Sequence, residues 1–469
     1  MADQHVVTTV GTSLQSSVLQ EAAIHTFKTR LRGALLRPGD PGYDDARMVW
    51  NGMIDRRPAL IARCAGVADV LQAVDFARTH HLLVSVRGGS HNIPGNAVCD
   101  GGLMIDLSWM KSIRVDPQRH TVRAEGGVTW GEFDHETQAF GLATTGGTDA
   151  TTGIAGLTLG GGLGWLAGKY GLACDNLLGV DIVTADGRYF IANAMENAEL
   201  FWGVRGGGGN FGVVTSFEYR LHPVDSVLAG PVLYPFERAR DVLRFYRDFS
   251  RALPDEVNTV CLLTTSPDGV PVVVIGVCYN GAMDAGEALL KPLRALSPLD
   301  DQIRPMPYTE IQRLVGSMLQ PGDRNYIKSS FMQHVSDDAI DTLIEHFATV
   351  PSPLTQVFFQ RLGNAANRVH PEATAFSHRG ALCEFGCMSV WRDPAADAVN
   401  IRWTRALAEA MQPFTTGRDY VNQMGHEADE GAERIRAAYG ATYDRLVTLK
   451  NQYDPTNLFR LNPNIKPTV

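Results

Sequence analysis

The sequence lacks an apolar stretch long enough to cross a bilayer, which takes about 20 consecutive apolar residues. It also lacks a concentrated run of lysine and arginine, and its net charge is −9, so no nucleic-acid surface is expected. The first residues have no basic region followed by an apolar one, so no secretory signal is expected. These absences predict a cytoplasmic protein with neither a membrane nor a nucleic acid as partner.

Cysteine is also sparse. The seven cysteines are scattered, odd in number and set mostly in apolar surroundings. No group of cysteine and histidine has the spacing of a zinc site, and no metal is expected. This distribution is typical of reduced, buried thiols in a cytoplasmic protein rather than of a disulfide framework.

Glycine is the residue type present in excess. There are 47 glycines, concentrated between Gly88 and Gly212. The chain of 469 residues is too long for one hydrophobic core, so at least two domains are expected. A hydrophobic content of 44% and a charged content of 20% are typical of an ordinary globular enzyme.

A strand that ends in a glycine turn is the first motif, in residues 84–92. The β-branched residues predict the strand, and Gly88 and Gly89 allow backbone N–H groups to approach a bound anion closely. Arg87 adds a fixed positive charge that suits phosphate. His91 follows at the rim with a nucleophilic imidazole, although a histidine in such a turn is more often a hydrogen-bonded loop residue.

A second glycine-rich motif occupies residues 153–165, where only Leu163 interrupts the glycines from Gly160 to Gly164. No Gly-Lys-Ser/Thr follows, so it is not a Walker loop. No strand enters it and no acidic residue follows at the required distance, so it is not a Rossmann fingerprint. A ligand contact and a tight packing turn both remain open for this segment.

Periodicity predicts the surrounding elements. A lead-in of about 40 residues contains one helix, residues 58–86 form a β-α-β unit that delivers the first motif, and residues 146–171 are irregular. The composition changes near Pro223, beyond which strand pairs and amphipathic helices predict an α+β domain with an antiparallel sheet. One long helix is predicted after residue 427.

Further motifs complete the pattern, and with them the chain resembles the vanillyl-alcohol oxidase superfamily. Within it, the match is to the berberine-bridge-enzyme-like branch of FAD-linked oxidases, which includes the hydroxynicotine oxidases. The motifs that carry the resemblance, besides the two glycine segments, are residues 169–176, 200–215, 374–379, 420–422, 439–446, 450–459 and 464–465. They occur in one order over nearly the whole chain.

The resemblance implies a two-domain α+β fold of the vanillyl-alcohol oxidase and p-cresol methylhydroxylase type. Residues 1–225 and 427–469 would form the FAD-binding domain. Residues 226–426 would form the substrate domain, with an antiparallel sheet over the isoalloxazine ring.

The resemblance also assigns the cofactor site. The residues that it matches to FAD binding are Arg87, Gly88, Gly89, Ser90, His91, Asn92, Gly153, Gly156, Gly160, Gly161, Asn210, Phe211 and Asn464. His91 would bond covalently to the benzenoid-ring methyl of the flavin, as an 8α-histidyl FAD. Members with doubly attached flavin carry a cysteine where this chain has Asp149, so one covalent bond, through His91 only, is expected.

The implied activity is that of an FAD-dependent oxidase, which takes a hydride from a C–H bond beside oxygen or nitrogen and reduces O₂ to H₂O₂. The substrate would be a small alcohol, sugar, amine or secondary metabolite, and the protein a monomer or homodimer. Glu384 and Tyr420 are the predicted candidates for the base, ahead of His378 and His426. For Glu384, on a predicted strand, a carboxylate that faces solvent or pairs with an arginine also stays open. Two alternatives stay open: a dehydrogenase or oxidative cyclase that does not use O₂, and a non-catalytic flavin carrier. The carrier is suggested only by Gln423, where the branch often has a tyrosine.

Overall fold

The computed structural model describes residues 7–10, 16–314, 316, 319–424 and 431–469. Among these residues, no helix is both long and apolar enough to span a membrane. All seven cysteines lie in the described ranges, and each is buried and unpaired, which confirms the prediction of buried free thiols.

The first part of the chain combines short strands and helices. Its strands are β1 (Val7–Val10), β2 (Ser16–Leu19), β3 (Ala34–Leu36), β4 (Leu60–Arg63), β5 (Val84–Arg87), β6 (Leu103–Asp106), β7 (Ile113–Asp116), β8 (Thr121–Glu125), β9 (Leu142–Ala143), β10 (Leu177–Thr184), β11 (Tyr189–Asn193), β12 (Gly212–Arg220) and β13 (His222–Pro223). Its helices are α1 (Glu21–Arg30), α2 (Tyr43–Arg47), α3 (Val67–Thr79), α4 (Trp130–Gln138), α5 (Ile154–Leu159), α6 (Ala167–Tyr170) and α7 (Ala198–Gly203).

Two main sheets organise this part. In one, the order is β3-β4-β6-β5, with β4, β6 and β5 parallel; in the other, β11-β10-β12-β8-β7 are all antiparallel. The predicted β-α-β unit is confirmed as β4-α3-β5, because α3 buries Val70, Ala73 and Val74 at helical spacing. The carboxyl end of β5 therefore delivers the first glycine loop.

Two local predictions for this part were wrong. The lead-in contains strands β1 to β3 as well as its helix. The β1 and β2 strands pair with each other, whereas β3 pairs with β4, a partner that local patterns do not reveal. Residues 146–171 are not wholly irregular: α5 begins after Gly153 and ends before Gly160. Only one glycine lies inside α5, and that loss of helix propensity, about 1 kcal/mol, is tolerated.

The middle of the chain forms a large antiparallel sheet. Its strands are β14 (Ser226–Pro235), β15 (Val257–Thr265), β16 (Pro271–Tyr279), β17 (Asp300–Asp301), β18 (Arg304–Pro307), β19 (Arg324–Met332), β20 (Gln356–Arg361) and β21 (Cys383–Trp391). Its helices are α8 (Ala239–Arg251), α9 (Met283–Ala295), α10 (Tyr308–Leu314), α11 (Asp337–Phe347), α12 (Asn364–Arg368) and α13 (Asp397–Met411). In the described chain, the strand order is β17-β14-β16-β15-β20-β21-β19, with β18 also paired to β14.

The two faces of this sheet have different partners. Val357, Phe359 and Cys387 point to a core that also contains apolar residues of the α8, α9, α11 and α13 helices. Phe358 and Met388, which alternate with them, line a cavity on the opposite face. Helices therefore cover one side of the sheet, and the other side is available to a ligand.

The C-terminal part holds two helices, α14 (Gly431–Tyr439) and α15 (Tyr443–Tyr453), rather than the one long helix predicted. The break falls at Gly440, whose φ of +56° is a left-handed conformation. Beyond α15, the tail packs on the first part of the chain, since the fully buried Lys450 ammonium donates to the carbonyls of Asn210 and Phe459 and to Asp454.

Candidate functional site

A cavity of about 460 Å³ lies between the glycine loops and the uncovered face of the large sheet. This volume falls in the usual range of small-molecule and cofactor sites, about 300–1,000 Å³. Its wall includes the loop after β5, the segment around α5, residues 208–214, strands of the large sheet, residues 420–423 and the tail at residues 459–463.

The loop after β5 faces the cavity, but Arg87 does not. Gly88 to Asn92 all line the cavity, as do Val84 and Val86 on the strand. Arg87 alternates with them, so its guanidinium points behind the wall, where it donates to the Ala46 carbonyl and lies 3.9 Å from Asp106. A direct contact between Arg87 and a phosphate therefore stays a prediction.

The two glycine loops meet backbone to backbone. A Cβ atom on Gly89 would lie 2.2 Å from the Gly153 nitrogen, and one on Gly153 would lie 2.4 Å from the Gly89 nitrogen. Neither position can hold a side chain without separating the loops. Tight packing, one of the two explanations that the sequence left open, therefore accounts for glycine at these two positions. Both residues also line the cavity.

Two other glycines leave space at the cavity wall. Gly156, in α5, and Gly209, after α7, both line the cavity, and a Cβ atom on either would meet no protein atom within 4 Å. At both positions the wall provides room rather than contact. This is the arrangement that a flat or elongated cofactor such as FAD requires.

We expect Gly156→Val to bind FAD about tenfold more weakly, because overpacking a fitted surface costs about 1–3 kcal/mol. The flavin content of the purified variant, read as the ratio of 450 nm to 280 nm absorbance, measures the loss. Ala285→Val, at an exposed position of α9, adds similar bulk outside the cavity and should keep its flavin. Full flavin content in Gly156→Val would mean that the cofactor does not pass over α5.

Gly160 and Gly161 pack against the C-terminal half of the chain, and neither is among the residues that line the cavity. A Cβ atom on Gly160 would lie 2.0 Å from Oδ1 of Asn422, and one on Gly161 would lie 2.7 Å from the Phe376 ring. Both glycines lie behind the wall and admit side chains from the C-terminal half of the chain. Direct FAD contact by either glycine stays a prediction.

Tyr420 is brought to the cavity by that packing. Its hydroxyl oxygen accepts hydrogen bonds from the Gly162 backbone N–H and from Nδ2 of Asn422, each at 2.9 Å. The tyrosine is buried, and burial raises the pKa of its hydroxyl, so the group is neutral at physiological pH. A neutral phenol with two donors on its oxygen can still donate its own proton to a ligand.

Glu384 is fully buried on β21, in the interior of the large sheet. It shares the cavity-facing side of the strand with Met388, and its paired neighbour on β20 is the cavity-lining Gln360, although Glu384 itself is not among the residues that line the cavity. Neither carboxyl oxygen has a hydrogen-bond partner among the described residues. Burial raises the pKa of Glu384 to about 8, opposed by the nearby Ser329 hydroxyl. The carboxylate that the sequence allowed to be solvent-facing is thus enclosed.

His91 lines the cavity with its imidazole stacked on Trp50, the ring centroids 5.0 Å apart. Its Nε2 lies 2.8 Å from the Thr151 hydroxyl, and its Nδ1 lies 3.4 Å from the Thr152 hydroxyl. Burial lowers the pKa of His91, while Asp149 opposes this change. The imidazole is therefore neutral near pH 7, the state in which it can act as a nucleophile.

Asn210, Phe211 and Asn464, which were predicted to bind FAD, are not among the residues that line the cavity. Nδ2 of Asn210 donates to the carbonyls of Gly207 and Pro463, and its Oδ1 accepts from the Ile465 N–H. Phe211 is fully buried in the core. The Asn464 side-chain oxygen is buried and lacks a partner among the described residues. Asn210 thereby joins the tail to the glycine-rich segment at residues 206–209, and direct contact of all three residues with FAD stays a prediction.

His378 and His426 are the two weaker candidates for the base. His378 donates from Nε2 to the Ala438 carbonyl at 2.7 Å and stacks on Phe331. Burial lowers the pKa of His378 to about 3, so it is a neutral structural residue. His426 lies outside the described residues.

Several cavity residues were missed by the sequence analysis. Trp50 belongs to no recognisable motif. It stacks on His91, which lies 41 positions further along the chain, only because the fold brings the two together. Gln356 and Gln360 could have been found, because they flank Phe358 at alternate positions of one strand. Asn462 also lines the cavity, two positions before the asparagine that was named.

Both departures from the family pattern face the cavity. Asp149 and Gln423, which are far apart in the sequence, both line it. The Gln423 amide oxygen has no hydrogen-bond partner among the described residues. Each departure is therefore positioned to change the chemistry of the site.

Comparison with known proteins covers nearly the whole chain. Residues 58–193 match the family described as FAD binding domain, and residues 419–466 match that described as berberine and berberine like. An FAD-linked oxidoreductase from Dictyostelium discoideum is 31% identical over 450 residues, which are 95% of this chain and 97% of that protein. (R)-6-hydroxynicotine oxidase from Paenarthrobacter nicotinovorans is 31% identical over 453 residues, covering 93% and 97%. The crystal structure of 6-hydroxy-D-nicotine oxidase from Arthrobacter nicotinovorans matches with a TM-score of 0.85 at 31% identity, covering 93% of this chain and 98% of that one.

Proposed function

Because the chain belongs to the berberine-bridge-enzyme-like family of FAD-linked oxidoreductases, we propose that it is an oxidase that transfers electrons from substrate to O₂. It would remove a hydride from a C–H bond beside oxygen or nitrogen, and the products would be an oxidised substrate and H₂O₂. The observation that carries the proposal is the enclosed, unpartnered carboxyl of Glu384 on the cavity side of the large sheet. A site of this kind suits proton abstraction beside a two-electron acceptor, which is the chemistry that bound FAD supplies.

FAD would be held along one side of the cavity. Residues 88–92 and the start of α5 provide backbone donors and space, and Asn462 reaches the cavity from the tail. Behind them, residues such as Asn210 fix the loops to the tail. The proposed domain division, with boundaries near 225 and 426, is supported by the change from the first two sheets to the large one at β14. The second boundary lies outside the described residues.

The flavin would be attached through His91 alone. This is supported by the position of the neutral imidazole in the cavity wall and by Asp149 at the place of a second attachment. A carboxylate is a much poorer nucleophile than a thiolate. Cys174, the nearest later cysteine, is fully buried, and burial raises the pKa of its thiol, so it offers little thiolate.

Glu384 would take the substrate proton, and Tyr420 would donate a hydrogen bond to the substrate. The two groups interact electrostatically, because the Glu384 charge contributes to raising the pKa of Tyr420. A neutral tyrosine whose oxygen already accepts two hydrogen bonds is a poor base but a good donor. A carboxyl with a pKa of about 8 is close to the value at which a base works best near neutral pH.

Turnover of a substrate should rise with pH and level off above about 8, because Glu384 must lose its proton to act. Glu384→Gln should remove this rise and lower kcat by about 10²–10⁴. The raised pKa also means that the folded protein holds this proton more tightly than the unfolded chain does. The free energy of unfolding should therefore fall as the pH rises from the pKa of the unfolded carboxyl toward 8. Glu384→Gln should therefore gain thermal stability over wild type at pH 8 but not at pH 4.

Tyr420→Phe separates the two roles. It should weaken turnover while leaving the rise with pH in place, since it removes a donor and not the base. Wild-type turnover in both Glu384→Gln and Tyr420→Phe would overturn the assignment of this site.

The sheet side of the cavity favours a compact, largely apolar substrate. Among the described residues from 226 to 419, those that line the cavity are Gly230, Pro231, Val260, Leu262, Val274, Gly276, Ile311, Leu314, Leu319, Ile327, Gln356, Phe358, Gln360 and Met388. Only the two glutamines among them can make side-chain hydrogen bonds, and Tyr420, Asn422 and Gln423 add polar groups at one edge. An apolar alcohol or amine with one or two polar atoms fits this wall better than a sugar, whose many hydroxyls would be left unpaired.

A panel of apolar alcohols, apolar amines and sugars, read both for H₂O₂ and for anaerobic bleaching of the flavin band, tests the function. We expect bleaching and H₂O₂ with an apolar alcohol or amine. Bleaching without H₂O₂ would instead favour the dehydrogenase or cyclase, and no bleaching by any compound would favour the flavin carrier. The cytoplasmic location and the monomeric or homodimeric state stay predictions.

A further inference from the structure

Three side chains are connected in series at the edge of the cavity. His91 Nε2 lies 2.8 Å from the Thr151 hydroxyl, and the Thr151 hydroxyl lies 2.8 Å from Oδ1 of Asp149. The Thr151 backbone N–H also donates to that carboxylate oxygen at 2.8 Å, which holds the carboxylate in place. The series begins at the histidine proposed to bond FAD and ends at the aspartate that replaces a cysteine.

The chemistry of these groups determines the direction of each hydrogen bond. A carboxylate can only accept, so the single proton of the Thr151 hydroxyl is donated to Asp149. The threonine oxygen must then accept from His91, so the imidazole proton lies on Nε2. In a neutral imidazole, this leaves the lone pair on Nδ1.

The surroundings of the ring agree with this orientation. Thr151, beside Nε2, is exposed and is not part of the cavity wall, whereas Thr152, beside Nδ1, lines the cavity. Trp50 stacks against one face of the imidazole. Nδ1 is therefore on the cavity side of the ring.

We propose that Asp149 and Thr151 are positioning residues that hold His91 as its Nε2–H tautomer, so that Nδ1 forms the bond to the flavin. The inference rests on the proposed attachment through His91. Other members have a cysteine at this position, which forms a second covalent bond to the flavin. The aspartate at position 149 removes that thiol and at the same time orients His91.

Forming this bond releases two electrons, and O₂ is the oxidant that accepts them. His91 Nδ1 forms one C–N bond to the flavin methyl carbon, while one methyl C–H bond and the Nε2–H bond are broken. The two electrons and two protons reduce O₂ to H₂O₂. As Nδ1 acquires its new bond, the Nε2 proton can pass through the Thr151 hydroxyl to the Asp149 carboxylate, which is the function of the series in this step.

The test compares Thr151→Val, Thr151→Ser and Asp149→Ala with wild type, each purified with its flavin. The measurements are the fraction of flavin that remains with acid-precipitated protein and, after hydrolysis of the flavin peptide, the histidine nitrogen that is substituted, determined by NMR. Neither readout depends on turnover. Thr29→Val, an exposed threonine of α1, controls for the loss of a surface hydroxyl.

We expect wild type and Thr151→Ser to carry only the Nδ1-linked flavin. Thr151→Val and Asp149→Ala should retain their fold, judged by thermal unfolding, but show at least a tenfold lower covalent fraction or a mixture with the Nε2-linked isomer. Nε2-linked flavin in wild type, or unchanged Nδ1 linkage in both disrupted variants, would overturn this inference and leave the attachment through His91 intact. Complete release of flavin from acid-precipitated wild type would overturn both.

Discussion

His91→Ala protein should release all of its flavin on acid precipitation, whereas wild type should stay yellow. An imidazole held against the cofactor would make bond formation effectively intramolecular, and the described residues that line the cavity include no cysteine, lysine or second histidine to replace His91. The variant should also turn over more slowly, because the proposed covalent bond would withdraw electron density from the ring, and without it the flavin potential would be lower. The measurements are flavin absorbance in the pellet, and mass spectrometry of tryptic peptides.

His25→Ala, at an exposed histidine of α1, is the matched control and should retain its bound flavin. In wild type, the flavin should be found on one peptide, the one that contains His91. Two peptides joined by one flavin would contradict the single attachment, and flavin retained by the His91→Ala pellet would assign the bond to another residue.

Lys450→Met should lower the free energy of unfolding by about 3–5 kcal/mol, because it leaves the Asp454 carboxylate buried without its cation. Both side chains are fully buried and 2.6 Å apart. The lysine also donates to the Asn210 and Phe459 carbonyls, so its loss frees the tail from the glycine loops. Chemical denaturation of wild type and variant measures the change.

Arg436→Met provides the control for Lys450→Met, because it breaks an exposed ion pair with Asp444 in the same part of the chain. An exposed pair contributes about 0–1 kcal/mol, so this variant should be close to wild type. Adding Asp454→Asn to Lys450→Met should recover part of the lost stability by removing the unpaired charge. Equal, small effects of Lys450→Met and Arg436→Met would contradict the assignment.

Local sequence patterns were sufficient to predict those parts of the site that depend on residues close together in the chain. The β-branched strand and the two glycines placed Gly88 to Asn92 in a loop after β5, and the structure puts all five residues in the cavity wall. The periodicity of residues 58–86 likewise predicted a helix before this strand, and the structure has it as α3. In both cases the decisive interactions lie within a few residues of each other.

Distant contacts explain what the sequence could not reveal. Gly160 was assigned to the cofactor, yet the atom nearest to an added side chain belongs to Asn422, 262 positions later. Arg87 was assigned to phosphate, but its strand position turns it toward Asp106. The Glu384 carboxyl was allowed to be solvent-facing because an isolated strand does not reveal which face a second layer will cover.

The tail that Lys450 fixes has a consequence for the order in which the protein is made. Residues 459–463 form part of the cavity wall together with residues near the start of the chain. A ribosome completes the glycine loops long before it reaches this last segment, so the cavity stays open on one side throughout synthesis. Cofactor loading, and the attachment proposed through His91, would therefore follow the synthesis of residues 459–463, and a fixed flavin would mark a molecule in which this segment has already met residues 88–92.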